Sequence, residues 1–411
     1  MKQGYLTEYF AGVAVKRLSA VEVRPTDSHQ HEFNGDRQLK LILGESDERV
    51  RFNTRLLYIG DDNEEPSSEE SILTWYDARR RGREARGVAR SEYRLYFRGE
   101  RIFEMAEEGD LLVIARMKAG DILAIVAGKD TTTAAQLLWL FGVKDFREGS
   151  FTARTEEDLS PARVGYAAAL VLDQIGIEPD LEAEDFLDTM LTKFGDGSFP
   201  ETRTFSEFAR NTLPDVSDKD DPDRALVEWM EREELLYRTL ERHLLSIQLQ
   251  DLVRSTPLEV EPYIKAVQST LQRRKARAGS ALENHLEKIF SNRGMRYSRT
   301  PVTERNHRPD FIFPTIDCYH DELFPSERLT MLAAKSTCKD RWRQILNEAV
   351  RIRKKYLVTL EPSISANQTD EMVEEMVQLV IPKSLHNTFD KKQQEWIMDI
   401  DSFLNMTKRK E

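Results

Sequence analysis

Cysteine is almost missing from this chain: 411 residues carry two, Cys318 and Cys338. Their spacing forms neither a disulfide framework nor a metal-ligand pattern, which argues for a reducing, cytoplasmic setting. Long apolar runs are missing as well. None approaches the roughly 18 residues of a membrane span, and MKQGYLTEYF has no basic head followed by an apolar block. A membrane protein and a secreted one are both disfavoured. Internal repeats and low-complexity tracts are absent too.

Positive charge is in deficit, with a net charge of -12, which taken alone argues against a nucleic-acid partner. The location of that charge matters more. Phe151 to Asp223 carries 6 Lys/Arg against 18 Asp/Glu, which accounts for all of it. The flanks are neutral and hold dense basic runs, so DNA or RNA binding stays open.

Length and the pattern of elements predict a multidomain α+β protein. Residues 1–150 read as β-rich. The expected strands are VAVKRLSAVEV, RQLKLIL, VRFNTRLLYI, EYRLYFRG, DLLVIARMKA and DILAIVAG, interrupted by an acidic surface loop, DDNEEPSSEE. Residues 151–223 read as an acidic, partly helical linker with its hinge near Asp215 to Asp223. Residues 224–411 begin with a helical block. They then alternate helix (SALENHLEKIF), strand (PDFIF), strand (RLTMLAAK), helix (DRWRQILNEAVRIRKK), strand (YLVTL), helix (TDEMVEEM) and strand (VQLVIP), an order that predicts a mixed sheet flanked by helices.

Within that last block the chemistry concentrates. Asp310 precedes a short strand framed by Pro309 and Pro314, and Lys335 closes the next apolar run. Lysine is out of place at the end of a buried strand unless it has work there. Phosphodiester hydrolysis needs charge neutralisation, a positioned water and a metal, so carboxylates with a lysine make a minimal kit. Taken singly, each residue has a plain alternative. Asp310 could be a turn residue, Lys335 a lysine snorkelling from a strand end, and Glu348 a surface partner of Arg351. Ser280 and Glu283 in SALE also spell a helix-capping box.

PD, a strand, then a second strand ending in lysine resembles the PD-(D/E)XK nuclease core, with Ala333 where an acid usually stands. The runs RRKARAGSALENHLEKIF, RPDFIFP, CYHDELFP and MLAAKSTCKDRWRQILNEA resemble the catalytic half of the EcoRII family of type IIE restriction endonucleases over about 273 to 349. The resemblance implies roles by position. Asp310 and Glu348 would bind Mg²⁺, Glu348 replacing the missing acid from the next helix. Lys335 would orient the attacking water, and Glu283 would be an additional acid in contact with the metal's water. It also implies two copies of double-stranded DNA (substrate and effector), a homodimer, a short C/G-rich target such as CCWGG, and a cognate DNA methyltransferase in the host.

Lys339, Asp340 and Arg341 open the helix after Lys335. Arginine can grip guanine O6 and N7 while aspartate accepts from cytosine N4, so the triplet resembles the family's base-reading element. The resemblance further implies that the unread central base pair is flipped out of the duplex; Trp229, Arg232 and Tyr237 lie in the expected region, with core packing the favoured role for the aromatics.

From Arg79 to Arg101 nine Arg face three Glu, interleaved with Tyr93, Tyr96 and Phe97. Such an excess of arginine favours a DNA-contacting arm over a plain surface. KRLSA, His29-Gln30 and WYDARRRGREARGVAR resemble, more loosely, the family's effector domain, a DNA-binding pseudobarrel. His29, Arg83, Arg86 and Arg90 would then touch the effector DNA, while Val88 stands where the family has an acidic base reader. Two rivals remain: a sequence-specific DNA-binding regulator with a non-catalytic nuclease-like domain, and a recombinase using Tyr319 as nucleophile.

Overall fold

The structure is a computed structural model. It describes all residues except 1–3, 24–30, 61–65, 81–90, 145–148, 161, 163, 180–183, 196, 255–259 and 339–340. It divides into two compact units, Met1–Pro179 with Ser363–Gln368, and Asp180–Pro362 with Thr369–Glu411. Residues 151–223, expected as one linker, fall on both sides of this division.

The first unit is built on an eight-stranded sheet in the order β2-β5-β4-β3-β7-β6-β1-β8. The strands are β1 (Phe10–Arg17), β2 (Glu32–Gly35), β3 (Val50–Ile59), β4 (Ser67–Asp77), β5 (Tyr93–Tyr96), β6 (Leu111–Met117), β7 (Ile122–Ala127) and β8 (Thr152–Thr155). All pairings are antiparallel except β3 with β7. Continuous apolar runs in β6 and β7 follow from burial on both faces. Leu111, Val113 and Ala115 point into one core, and Leu112 and Ile114 into the other. The first core is covered by α2 (Thr132–Leu140) and α3 (Tyr166–Gln174), the second by α1 (Arg37–Leu43).

Three expectations change here. RQLKLIL is helix α1, not strand: Asp36 caps it by accepting from the Leu39 amide at 2.8 Å, and Leu39, Ile42 and Leu43 are buried at helical spacing. VAVKRLSAVEV is strand only to Arg17, with Ala20–Val23 helical beyond it. The acidic loop ends early as well. Ser67 to Glu70 already belong to β4, because every second residue of that strand can face solvent while the backbone pairs with β3.

The second unit begins with a helical bundle of α4 (Glu184–Phe194), α5 (Thr202–Asn211), α6 (Pro222–Arg254) and α7 (Val260–Asn292). Met190, Phe205, Phe208, Leu236, Tyr237 and Leu240 form one of its cores. A five-stranded mixed sheet follows, in the order β13-β12-β11-β10-β9. Its strands are β9 (Ser298–Arg299), β10 (Phe311–Phe313), β11 (Thr330–Ala334), β12 (Lys355–Val358) and β13 (Val377–Val380). β9, β10 and β11 run antiparallel in turn, while β11, β12 and β13 run parallel. The last turns of α7 seat on the sheet through Leu282, Leu286, Ile289 and Phe290, and Phe290 meets Phe311 and Phe313 edge-on at 5.1 Å. Among the described residues no helix is long and apolar enough to cross a membrane.

Candidate active site at one end of the mixed sheet

Antiparallel pairing of β10 with β11 sets Phe311 opposite Leu332, which brings Asp310 and Lys335 to the same end of the sheet. Asp310 Oδ2 accepts from the Ala334 amide at 2.7 Å and from Lys335 Nζ at 2.9 Å. Strand β12 supports the same edge from the other side, where the Lys335 amide donates to Val358 O at 3.0 Å. The lysine therefore has a partner and a fixed backbone. Ala333 is fully buried, so the position where the resemblance would place an acid is core.

Glu348 reaches this centre by a route the sequence does not suggest. The expected helix over DRWRQILNEAVRIRKK stops after one turn. α8 (Arg341–Gln344) passes into a 3-10 turn, Ile345–Asn347, and Glu348 is extended at φ -84, ψ 144, followed by Ala349 at φ 48. The apolar arc survives the break, since Trp342, Ile345, Ala349 and Ile352 remain buried. Side-chain bonds to the backbone replace those of the lost helix. Lys355 Nζ, itself buried, donates to Ile352 O at 2.9 Å, and the Arg351 guanidinium donates to the carbonyls of Asp321 and Phe324 at 3.0 and 2.9 Å. Burial raises the Glu348 carboxyl above the usual range; Lys335 opposes the rise and Asp310 adds to it. Glu348 Oε2 is buried with no hydrogen-bond partner.

Glu283 lies in the middle of α7, twenty-odd residues from its start, so the capping-box reading of Ser280 and Glu283 does not hold. Its carboxyl is also raised, first by burial and then by the charge of Asp310, while Arg299 and Lys335 pull it down. Arg299 is a member of the site that the sequence reading missed. From β9 its guanidinium donates to Glu283 Oε2 (3.0 and 3.2 Å), Asn284 Oδ1 (2.8 Å) and Glu287 Oε2 (2.6 Å). Lys355 was missed too, although a lysine pair heading the apolar run KKYLVTL was a signal. Nothing in the two-residue strand YSRT marked Arg299.

An isolated buried carboxylate oxygen is costly unless a cation meets it. Asp310 Oδ1 and Glu348 Oε2 accept no hydrogen bond among the described residues, and both are hard oxygen donors suited to Mg²⁺. Among those residues no three His, Cys, Asp or Glu side chains form a ligand set. A two-carboxylate site still fits Mg²⁺, which keeps waters and takes phosphate oxygens for its remaining positions.

Among the described residues, no hydrogen bond or ion pair joins the other expected residues to this centre. Arg341 is described and exposed, at the start of α8, while Lys339 and Asp340 lie outside the described residues. His29, Arg83, Arg86 and Arg90 lie outside them as well. Within the Arg-rich stretch Tyr93 and Phe97 are core residues, and Arg94 and Arg79 each pair with Glu92, so part of the arm is spent internally. Trp229 and Tyr237 are buried, and Arg232 lies 5.1 Å from the Phe186 ring. Tyr319 makes a poor nucleophile: it is buried, its hydroxyl donates to Glu304 at 2.5 Å, and burial raises its pKa.

Comparison with known proteins supplies the rest. Residues 237–404 match the EcoRII C terminal family. That match contains Glu283, Arg299, Asp310, Lys335, Arg341 and Glu348 together. A relative, the type II restriction enzyme EcoRII of Escherichia coli, is 40% identical over 200 residues, covering 48% of this chain and 47% of that protein. The match to EcoRII thus spans about half the length of each. Among solved structures, metal-depleted Ecl18kI in complex with uncleaved, modified DNA is 18% identical, with a TM-score of 0.45 over 56% of this chain and 84% of that one. The PspGI–substrate DNA complex is also 18% identical, with a TM-score of 0.43 over 52% and 93%.

Proposed function

We propose that this chain is a type II, IIE-like restriction endonuclease that makes Mg²⁺-dependent double-strand cuts at a short C/G-rich site such as CCWGG. The observation that carries the reading is the Lys335–Asp310 ion pair beside Glu348, whose Oε2 is buried without a partner. The match to the EcoRII C terminal family over the same residues supports it.

On this reading the mixed sheet is a PD-(D/E)XK core in which Glu348 takes over from the residue replaced by Ala333. Asp310 and Glu348 would hold the ion. Bound there, Mg²⁺ would supply Lewis-acid neutralisation of the scissile phosphate and acidify a water. Asp310 keeps Lys335 aimed along the strand end, and the ammonium orients the attacking water and offsets charge growing on the phosphoryl oxygens. Arg341, with Lys339 and Asp340, would read C·G pairs in the major groove, so that docking and cleavage share one segment. One centre per chain cuts one strand, which calls for a homodimer on a two-fold symmetric site.

The β-rich first unit would be an effector-binding pseudobarrel that touches a second DNA copy through His29, Arg83, Arg86 and Arg90, and a cognate methyltransferase would protect host DNA. The boundaries proposed from sequence, 1–150, 151–223 and 224–411, assign these roles. One observation favours a non-catalytic DNA-binding regulator instead: core alanine at position 333. Incubation of the whole protein with Mg²⁺ and plasmids bearing one or several CCWGG sites decides between the two. Ends mapped to those sites support the nuclease, and binding without any cut supports the regulator.

A further inference from the structure

We propose that Arg299 is a positioning residue for the Asp310–Lys335 centre, a clamp on β9 that holds the Glu283 carboxylate with one oxygen turned to the water shell of the bound metal. The inference rests on the nuclease reading above. Glu283 and Glu287 are one helical turn apart on α7 and Asn284 lies between them, so three acceptors face the same strand. A single guanidinium meets all three. Nε and Nη2 both donate to Glu283 Oε2, at 3.2 and 3.0 Å, while Nη1 donates to Asn284 Oδ1 at 2.8 Å and Glu287 Oε2 at 2.6 Å.

The fork is planar and rigid: its bonds to Asn284 and Glu287 fix the guanidinium, and its two bonds to Glu283 restrain that carboxylate. Both bonds to Glu283 go to one oxygen, and Oε1 accepts no hydrogen bond among the described residues. Arg299 is itself fixed against the centre. It pairs with Phe311 across β9 and β10, and the neighbouring Thr300 amide donates to Asp310 O at 2.9 Å. The guanidinium bonds neither the Asp310 carboxylate nor Lys335, so its influence passes through Glu283. Glu287 is braced from behind by Arg203 Nη2 at 3.2 Å, and Asn284 by its amide's donation to Ser206 Oγ at 3.0 Å. A lysine at 299 would keep the charge and lose the fork, since a point charge cannot serve three acceptors in set directions.

The test uses the whole protein as R299K, E283Q and the double variant. Three quantities are read: the Mg²⁺ midpoint for single-turnover cleavage, the Ca²⁺ affinity of the protein–DNA complex by calorimetry, and the melting temperature. Loss of a group that orients a metal's surroundings weakens metal binding about tenfold or more. R299K is therefore expected to shift both the midpoint and the calorimetric affinity by about tenfold. E283Q gives the same shift, and R299K/E283Q is no worse than E283Q alone. The proposal is overturned if R299K lowers the melting temperature and leaves metal affinity unchanged, the signature of a mere staple between α7 and β9. It is also overturned if the two losses add. A wild-type protein that neither cuts DNA nor takes up Ca²⁺ with it would instead overturn the nuclease reading beneath.

Discussion

Lys335 Nζ lies 2.9 Å from Asp310 Oδ2 although 25 residues separate the two in the chain. Antiparallel pairing of two short strands closes that gap, and the same carboxylate accepts the Ala334 amide, so the ion pair is anchored by backbone on both sides. Replacing Lys335 by alanine is expected to slow cleavage about 10²–10³-fold or more, the usual cost of losing an electrostatic stabiliser. Affinity for DNA without metal should change little. Single-turnover rates against binding isotherms separate the two.

Glu348 is half-buried, with its Oε2 fully buried and its carboxyl pKa raised, and its charge is unfavourable in the metal-free protein. A raised folded pKa means stability that is present at low pH and is lost as pH rises through that pKa. E348Q should therefore melt above wild type at pH 8, by about 1–3 °C, with the difference shrinking toward pH 5. It should abolish cleavage at every pH. Differential scanning calorimetry without divalent ions checks the sign; a variant that melts below wild type at pH 8 contradicts it.

The Tyr319 hydroxyl donates to Glu304 and takes the Arg351 amide at 3.3 Å, so it serves the fold. Y319F should cut DNA at the wild-type rate and lose about 1.5–3 kcal/mol of stability, the range for a hydrogen bond to a charged group. Loss of cleavage with intact folding would return Tyr319 to the chemistry.

Arg341 is exposed at the start of α8, six residues beyond Lys335. If it grips guanine, R341A costs about 1–3 kcal/mol of discrimination at one base pair and leaves affinity for unrelated DNA nearly intact. If it meets only phosphate, binding weakens equally on all sequences and the salt slope falls by about one. Competition binding with single-substitution sites distinguishes the two.

How legible the site was depended on the range of the contacts that build it. Asp310 and Lys335 were readable because one precedes and the other follows a short, fully buried apolar run bounded by turn residues. The helix around Glu348 was misread since its buried arc, Trp342 to Ile352, has helical spacing whether or not the backbone stays helical. The Arg351 guanidinium, bonded to carbonyls 30 and 27 residues away, holds the broken backbone, and no local pattern carries those contacts. Arg299 was invisible for the same reason, as its acceptors lie on α7 and its strand has two residues. In the first unit RQLKLIL alternates well enough to pass for a strand, and the Asp36 cap decides for helix.

The most direct test of the central claim is Mg²⁺-dependent cleavage by wild type, D310N and E348Q, read as mapped ends on DNA containing CCWGG. Wild type is expected to give defined double-strand ends at a short C/G-rich site, either variant none, and all three to retain DNA binding. Defined ends from D310N or E348Q at the wild-type rate would contradict it.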